Sequence, residues 1–239
     1  LRQKTSRGSA SLVARLRVLA ACLKAEPKAL IEGGRFITLE GGEGTGKSTL
    51  IAGLSDALQD RGQNVIVTRE PGGTKLAEEV RALALNPPAG ETWSPLSHAL
   101  LMNTARDDHL NKLIRPALER GDWVLCDRFA DSTRAYQSID GQDIETLLKI
   151  ERAVVGETRP DLTLILDGAP EDLAERRRAR GTQDVFEQKD LDFHTKVREA
   201  FLEIAEQEPD RCAVIDALQT PEQVLAAALT EIDSRLGDL

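Results

Sequence analysis

No stretch of this 239-residue chain approaches the roughly 18 uninterrupted apolar residues that a membrane span needs, so no membrane partner is expected. Cysteine is scarce as well. Cys22, Cys126 and Cys212 are odd in number and widely spaced, without the paired spacing of a zinc site or the density of a secreted disulfide framework. They are expected to be reduced and mostly buried, in a cytoplasmic protein. A basic excess is missing too: the net charge of -9 argues against a groove that tracks a nucleic-acid backbone. The three histidines, His98, His109 and His194, lack metal-ligand spacing and are expected to serve at the surface or in helix packing. Neither internal repeats nor low-complexity segments interrupt the chain.

What is present is a soluble composition, 41% hydrophobic and 30% charged, long enough for one large α/β domain. Residues 1–34 differ from the rest, carrying seven Lys or Arg against Glu26 and Glu32. Leu12, Leu16, Ala20 and Leu23 recur there at helical spacing. An Arg- and Ser-rich makeup of this kind is shared by transit peptides, by mis-assigned starts and by dispensable surface helices. The domain itself is expected over residues 35–239.

From residue 35 onward, short apolar runs alternate with longer amphipathic segments, which is the sequence form of β-α units around a parallel sheet. Strands are predicted at 36–40, 65–69, 123–127, 162–167 and 212–216. Helices are predicted at 47–60, 74–85, 95–120, 143–155, 170–179, 191–206 and 221–236. The fold class is thus α/β, a five-stranded parallel sheet with helices on both faces.

Between the first strand and first helix, Gly41-Gly42-Glu43-Gly44-Thr45-Gly46-Lys47-Ser48 matches G-x-x-x-x-G-K-[ST]. Its glycines let successive N–H groups converge on a phosphate, and the helix that follows, with Thr49 in its first turn, adds the positive end of its dipole. Lys47 is predicted to contact the β and γ oxygens of ATP, and the Ser48 hydroxyl to bind Mg²⁺. The motif by itself leaves kinase, GTPase and mechanical ATPase open. No guanine-reading N-K-x-D segment is recognisable.

Two further segments lie at strand ends, where a doubly wound sheet forms its ligand crevice. Residues 68–74 (Thr-Arg-Glu-Pro-Gly-Gly-Thr) follow the second strand, and Asp127-Arg128-Phe129 follow the third. Arg69 and Arg128 are both expected to point toward the phosphate loop and to clamp an acceptor phosphate with paired hydrogen bonds. Asp127, in a Walker B position, is read as a carboxylate on or behind Mg²⁺.

Residues 40–48, 68–74, 127–137 and 159–167 together resemble the bacterial thymidylate kinases, in the same order and spacing, and the resemblance covers nearly everything after residue 34. It implies a P-loop kinase fold and a dimeric, Mg²⁺-dependent enzyme that converts ATP and dTMP to ADP and dTDP, a step toward dTTP. Carried over by position, Glu43 matches the acidic loop residue near the acceptor's 3′-hydroxyl or its metal, and Arg69 and Arg128 match the acceptor-phosphate clamp. Arg106 matches the arginine at the thymine edge and Thr133 the polar residue at the base. Tyr136 matches the aromatic that disfavours a ribose 2′-hydroxyl, and Gln137 lines the same pocket. Met102 stands where the family commonly has a Phe stacked on thymine, and Asn103 also replaces a frequent aromatic. A thioether can still cover a ring face.

Residues 175–184 carry four arginines into a Gly-containing turn, at the position of the family's lid, about 176–190. Because Glu43, Gly44 and Thr45 bring no arginine, the resemblance points to Arg180, helped by Arg176, as the transition-state cation. Val185 stands where relatives often carry another Arg. Together with Met102 it motivates an alternative reading, a catalytically impaired homologue. No His or other general base is assigned, because the acceptor phosphate is already anionic.

Overall fold

Strands form where aliphatic and β-branched residues run together between turn-formers: β1 (Arg35–Glu40), β2 (Val65–Arg69), β3 (Trp123–Asp127), β4 (Leu162–Asp167) and β5 (Cys212–Asp216). All pair in parallel, in the order β2-β3-β1-β4-β5. The computed structural model describes residues 33–179 and 190–237, excepting the side chains of 175–179. This fold lies within one unit, Ile31–Leu239. The register sets Asp127 beside both Leu39 and Arg69, so three strands end level and the loops after them meet over one crevice.

Alternation along β1 sends Ile37 and Leu39 to one face and Phe36, Thr38 and Glu40 to the other. On the first face, α1 (Lys47–Asp60) and α9 (Pro221–Leu236) lay Leu50, Leu54, Val224 and Ile232 over Ile37, Leu39, Leu125 and Leu164. Each leucine fully buried there contributes about 1.5–3 kcal/mol. The second face is covered by α3 (Pro95–His109), α5 (Ala130–Ile139), α6 (Ile144–Val155) and α8 (Leu191–Gln207). Phe36, Val124 and Cys126 meet Leu110, Ile114 and Phe129, while Ile165 meets Tyr136, Val197 and Phe201. Cys126 and Cys212 are unpaired and buried, as expected; Cys22 lies outside the described residues. The remaining helices are α2 (Lys75–Leu85), α4 (Arg115–Glu119) and α7 (Pro170–Ala179).

Two predicted features differ. The helix expected over 95–120 is divided: α3 gives way to a π turn, Leu110–Ile114, before α4 begins with Pro116 in its first turn. Proline lacks an N–H and crowds the preceding turn, and the wider π turn lets the helix pass it. Residues 131–137, read from the sequence only as a motif, lie in the helix α5. Among the described residues no helix is long and apolar enough to cross a membrane.

Most helix starts are closed by a side chain: Thr74 accepts from the Ala77 N–H, Ser94 from Ser97, and Thr220 forms a capping box with Gln223. The start of α1 is different. Its N-cap is Gly46, left-handed at φ 91°, with no side-chain cap and no acidic residue in the first turn. That end therefore presents unpaired amides and a positive dipole to the crevice.

Candidate active site

The phosphate loop packs against the sheet so closely that a Cβ on Gly41, at φ 127°, would stand 2.4 Å from the Leu166 carbonyl oxygen. Glycine is required there for space and for conformation. Lys47, buried at the start of α1, donates from Nζ to the carbonyls of Gly41 (3.0 Å) and Gly42 (2.9 Å). Burial, aided by the neighbouring Arg128, pushes its pKa down to about 8. Ser48 and Thr49 are exposed in the first turn of α1. The buried Oδ1 of Asp127 has no hydrogen-bond partner. An unsatisfied carboxylate oxygen is costly unless a cation serves it, and a carboxylate together with the Ser48 hydroxyl is a hard-oxygen donor set of the type that suits Mg²⁺.

Arg128 is the one non-glycine residue with positive φ (70°) among the described residues. Such a conformation costs about 1–3 kcal/mol and persists only where its surroundings enforce it. Here the Arg128 N–H donates to Leu39 O (2.9 Å), and the Cys126 thiol donates to Arg128 O (3.0 Å). Glu40 completes the enforcement. Its Oε1 accepts from the backbone N–H groups of Phe129 (2.7 Å) and Ser132 (3.2 Å), and its Oε2 from the Ser132 hydroxyl (2.6 Å). Glu40 thereby caps α5 from 89 residues away. Burial, together with the nearby Asp131, raises its pKa to about 7.

The Arg128 guanidinium donates to Gly41 O (3.1 Å), Ser132 Oγ (3.2 Å) and Glu43 Oε1 (2.5 Å), and its carbon lies 5.2 Å from the Tyr136 ring centre. Those three bonds leave two of its five N–H groups for an anion. Tyr136 donates its hydroxyl to the same Glu43 oxygen (3.2 Å). Although burial opposes the charge on Glu43, Arg128 and Lys47 hold its pKa down to about 2.

Beside this cluster lies a cavity open to solvent, lined by Glu43, Met102, Arg106, Arg128, Thr133, Tyr136 and Gln137. All seven were singled out from the sequence. Arg69 was expected to join them and does not: it is 56% exposed and paired with Glu78 at 3.1 Å. Strand alternation is the reason, since Val67 and Arg69 face outward from the edge strand while Thr68 and Glu70 face inward. The inward cation that sequence reasoning missed is Arg81 of α2, which donates to Pro71 O (2.9 Å) and lines the cavity. Arg176, as a side chain, and Arg180 lie outside the described residues, as does most of the lid.

Arg106 is buried and heavily bonded. Its Nε donates to Glu70 (2.7 Å), Nη1 to Asn103 (3.0 Å), and Nη2 to Phe129 O and Thr133 Oγ1 (both 3.0 Å). Asn103 thus props Arg106, which accounts for an amide there. The three histidines are all buried, at 8%, 0% and 6% exposure for His98, His109 and His194. None is a surface residue, and His109 joins the site by bonding Glu70. Its signal was legible: Met102, Arg106 and His109 fall at i, i+4 and i+7, one stripe of α3.

Comparison with known proteins agrees with this geometry. The family model for thymidylate kinase matches residues 39–228. The thymidylate kinase of Caulobacter vibrioides is 52% identical over 205 residues, covering 85% of this chain and 98% of that protein. That of Bradyrhizobium diazoefficiens is 48% identical over 207 residues, covering 85% and 90%. The crystal structure of thymidylate kinase from Ehrlichia chaffeensis superposes with a TM-score of 0.68 at 33% identity, covering 84% of this chain and 99% of that one. A doubly wound sheet, a phosphate loop and a second, arginine-lined cavity one side chain away from it are the parts of a two-nucleotide phosphotransferase, and the chain belongs to the thymidylate kinase family.

Proposed function

We infer that this enzyme transfers the γ-phosphoryl group of ATP to dTMP, giving ADP and dTDP, with each nucleotide held by one half of the site described above. The observation that carries the reading is Arg128. It bonds the phosphate loop through Gly41 O and lines the acceptor cavity, so one guanidinium can meet both the transferring and the accepting phosphate. Lys47 exchanges its bonds to Gly41 O and Gly42 O for β and γ oxygens when the loop fills. The acceptor needs no general base, and charge stabilisation with in-line positioning supplies the catalysis.

Arg106 reads the base. Four of its five N–H groups are engaged among the described residues, and the remaining one suits a carbonyl such as thymine O4 but opposes the amino group of cytosine. Met102, 8% exposed and packed with Ala84 and Leu85, supplies an apolar wall where a ring would stack. Glu43 and Tyr136 close the sugar side. Ser48 and Asp127 would hold Mg²⁺, which would supply positive charge against the triphosphate. Arg180, with Arg176 as helper, would bring a further cation to the transferring phosphoryl, because Glu43, Gly44 and Thr45 of the phosphate loop contribute no arginine. Leu76, Leu83, Leu96 and Leu100, 41–51% exposed on α2 and α3, support a homodimer through that apolar face. The buried, unpaired thiols suit a cytoplasmic setting.

The test is ADP formation from ATP and Mg²⁺ with each common nucleoside monophosphate in turn. Turnover saturating with dTMP is expected. Faster turnover of another monophosphate, or none with dTMP, overturns the assignment.

A further inference from the structure

Glu70 carries no role in the phosphotransfer described above, yet it is 3% exposed and spends both of its oxygens on α3. Oε2 accepts from Arg106 Nε at 2.7 Å and Oε1 from His109 Nδ1 at 3.0 Å. We propose that Glu70 is the positioning residue for base selection: it fixes the guanidinium plane of Arg106, and His109 and Thr68 fix Glu70 in turn. This rests on the reading of Arg106 as the base-facing residue.

The chemistry of the three groups leaves little freedom. A carboxylate only accepts, so His109 carries its proton on Nδ1, and in the neutral ring Nε2 is left as an acceptor. Its partner there is the Thr68 hydroxyl, at 2.7 Å. The chain runs Thr68 to His109 to Glu70 to Arg106 and crosses three times between the end of β2 and α3. Gly73 seals it: at φ 84°, a Cβ there would stand 2.4 Å from His109 Nε2 and 2.6 Å from Thr68 Oγ1. A side chain at that position would displace the bond.

At the other end, Arg106 has its Nη2 pinned by Phe129 O and Thr133 and its Nη1 by Asn103. Holding Nε as well removes the last rotation, so a single N–H is presented at a fixed angle. Selection between a base carbonyl and a base amino group depends on that fixity, because a mobile guanidinium, a donor on every edge, could swing away from an opposing amino group, whereas a pinned one cannot. The Thr68–Thr74 segment therefore serves the site through its inward glutamate.

Glu70→Gln keeps the shape but can accept only one of the two bonds, and its amide nitrogen opposes the other donor. Expected is at least a tenfold rise in KM for dTMP, an ATP KM within about twofold of wild type, and at least a tenfold fall in the kcat/KM ratio of dTMP to dCMP. Thr68→Val, β-branched and suited to its strand, removes only the hydroxyl. It should lower the same ratio about threefold. A folded Glu70→Gln protein with the wild-type ratio overturns the proposal, and if that variant does not fold, an unchanged ratio in Thr68→Val does so. A wild-type enzyme that prefers another monophosphate would sink the dTMP assignment instead. The Glu70 proposal would then be read on that acceptor's KM against the KM of ATP.

Discussion

Replacing Glu43 with Gln keeps the volume of the side chain and one acceptor oxygen, enough for the bonds from Arg128 and Tyr136 that share Oε1, and removes its charge. Glu43 is 14% exposed and lies at 2.5 Å from Arg128. Its pKa of about 2, against an ordinary 4.5, means that the folded protein favours the ionised form by about 3 kcal/mol at 1.36 kcal/mol per unit. Because the folded value is depressed, this stabilisation is fully present above pH 4.5 and is lost as pH falls through 2. Linkage then gives a gap between wild type and Glu43→Gln of about 3 kcal/mol at pH 7, shrinking to about 2 kcal/mol at pH 3.5. Urea denaturation of both proteins across that range measures it. A second signature comes from the unbalanced cations: without Glu43, Lys47 and Arg128 face each other uncompensated, and a bound triphosphate replaces the missing charge. ATP should therefore raise the melting temperature of the variant more than that of wild type. A gap that stays constant from pH 7 to pH 3.5 would falsify the charge-pair account.

Lys47→Ala should lower kcat at least about a hundredfold by deleting the cation at the bridging oxygens, as measured by coupled ADP release; an unchanged kcat refutes its role. Arg128→Ala should raise the KM of dTMP far more than that of ATP, and equal losses would remove it from the acceptor side. Gly41→Ala forces a side chain into the Leu166 carbonyl at a φ that only glycine adopts readily. A loss of at least about 3 kcal/mol in urea-measured stability is expected, and an unshifted midpoint contradicts the packing described.

The elements were largely legible because they obey local rules. All five strands lie where apolar runs meet turn-formers, and the phosphate loop is written in closely spaced glycines, of which Gly41, Gly44 and Gly46 take positive φ that other residues adopt poorly. α5 went unpredicted for a physical reason: most of its buried residues are polar, with only Ala130, Ala135 and Tyr136 in the apolar core. Asp131, Thr133, Arg134 and Gln137 are each buried, held by ion pairs and hydrogen bonds or set against the cavity, so no apolar period marks the helix. The π turn was missed as well: the helix was expected to run straight through Pro116, and a proline does not say how the backbone will absorb it.

Within the site, sequence alone determined the residue types and which strand ends would carry them: Lys47 in the loop, Arg128 after β3, and the Met102–Arg106 stripe on α3. Only the tertiary structure decided their partners. Arg69 and Glu70 are neighbours in the chain, and strand parity turned one to solvent and the other to Arg106, 36 residues away. Glu43 meets Arg128 across 85 residues, and Glu40 caps a helix across 89. Backbone sterics act between adjacent residues and so are written locally. The pairing of buried charges depends on which strand ends the sheet order brings together, and no local pattern encodes that order.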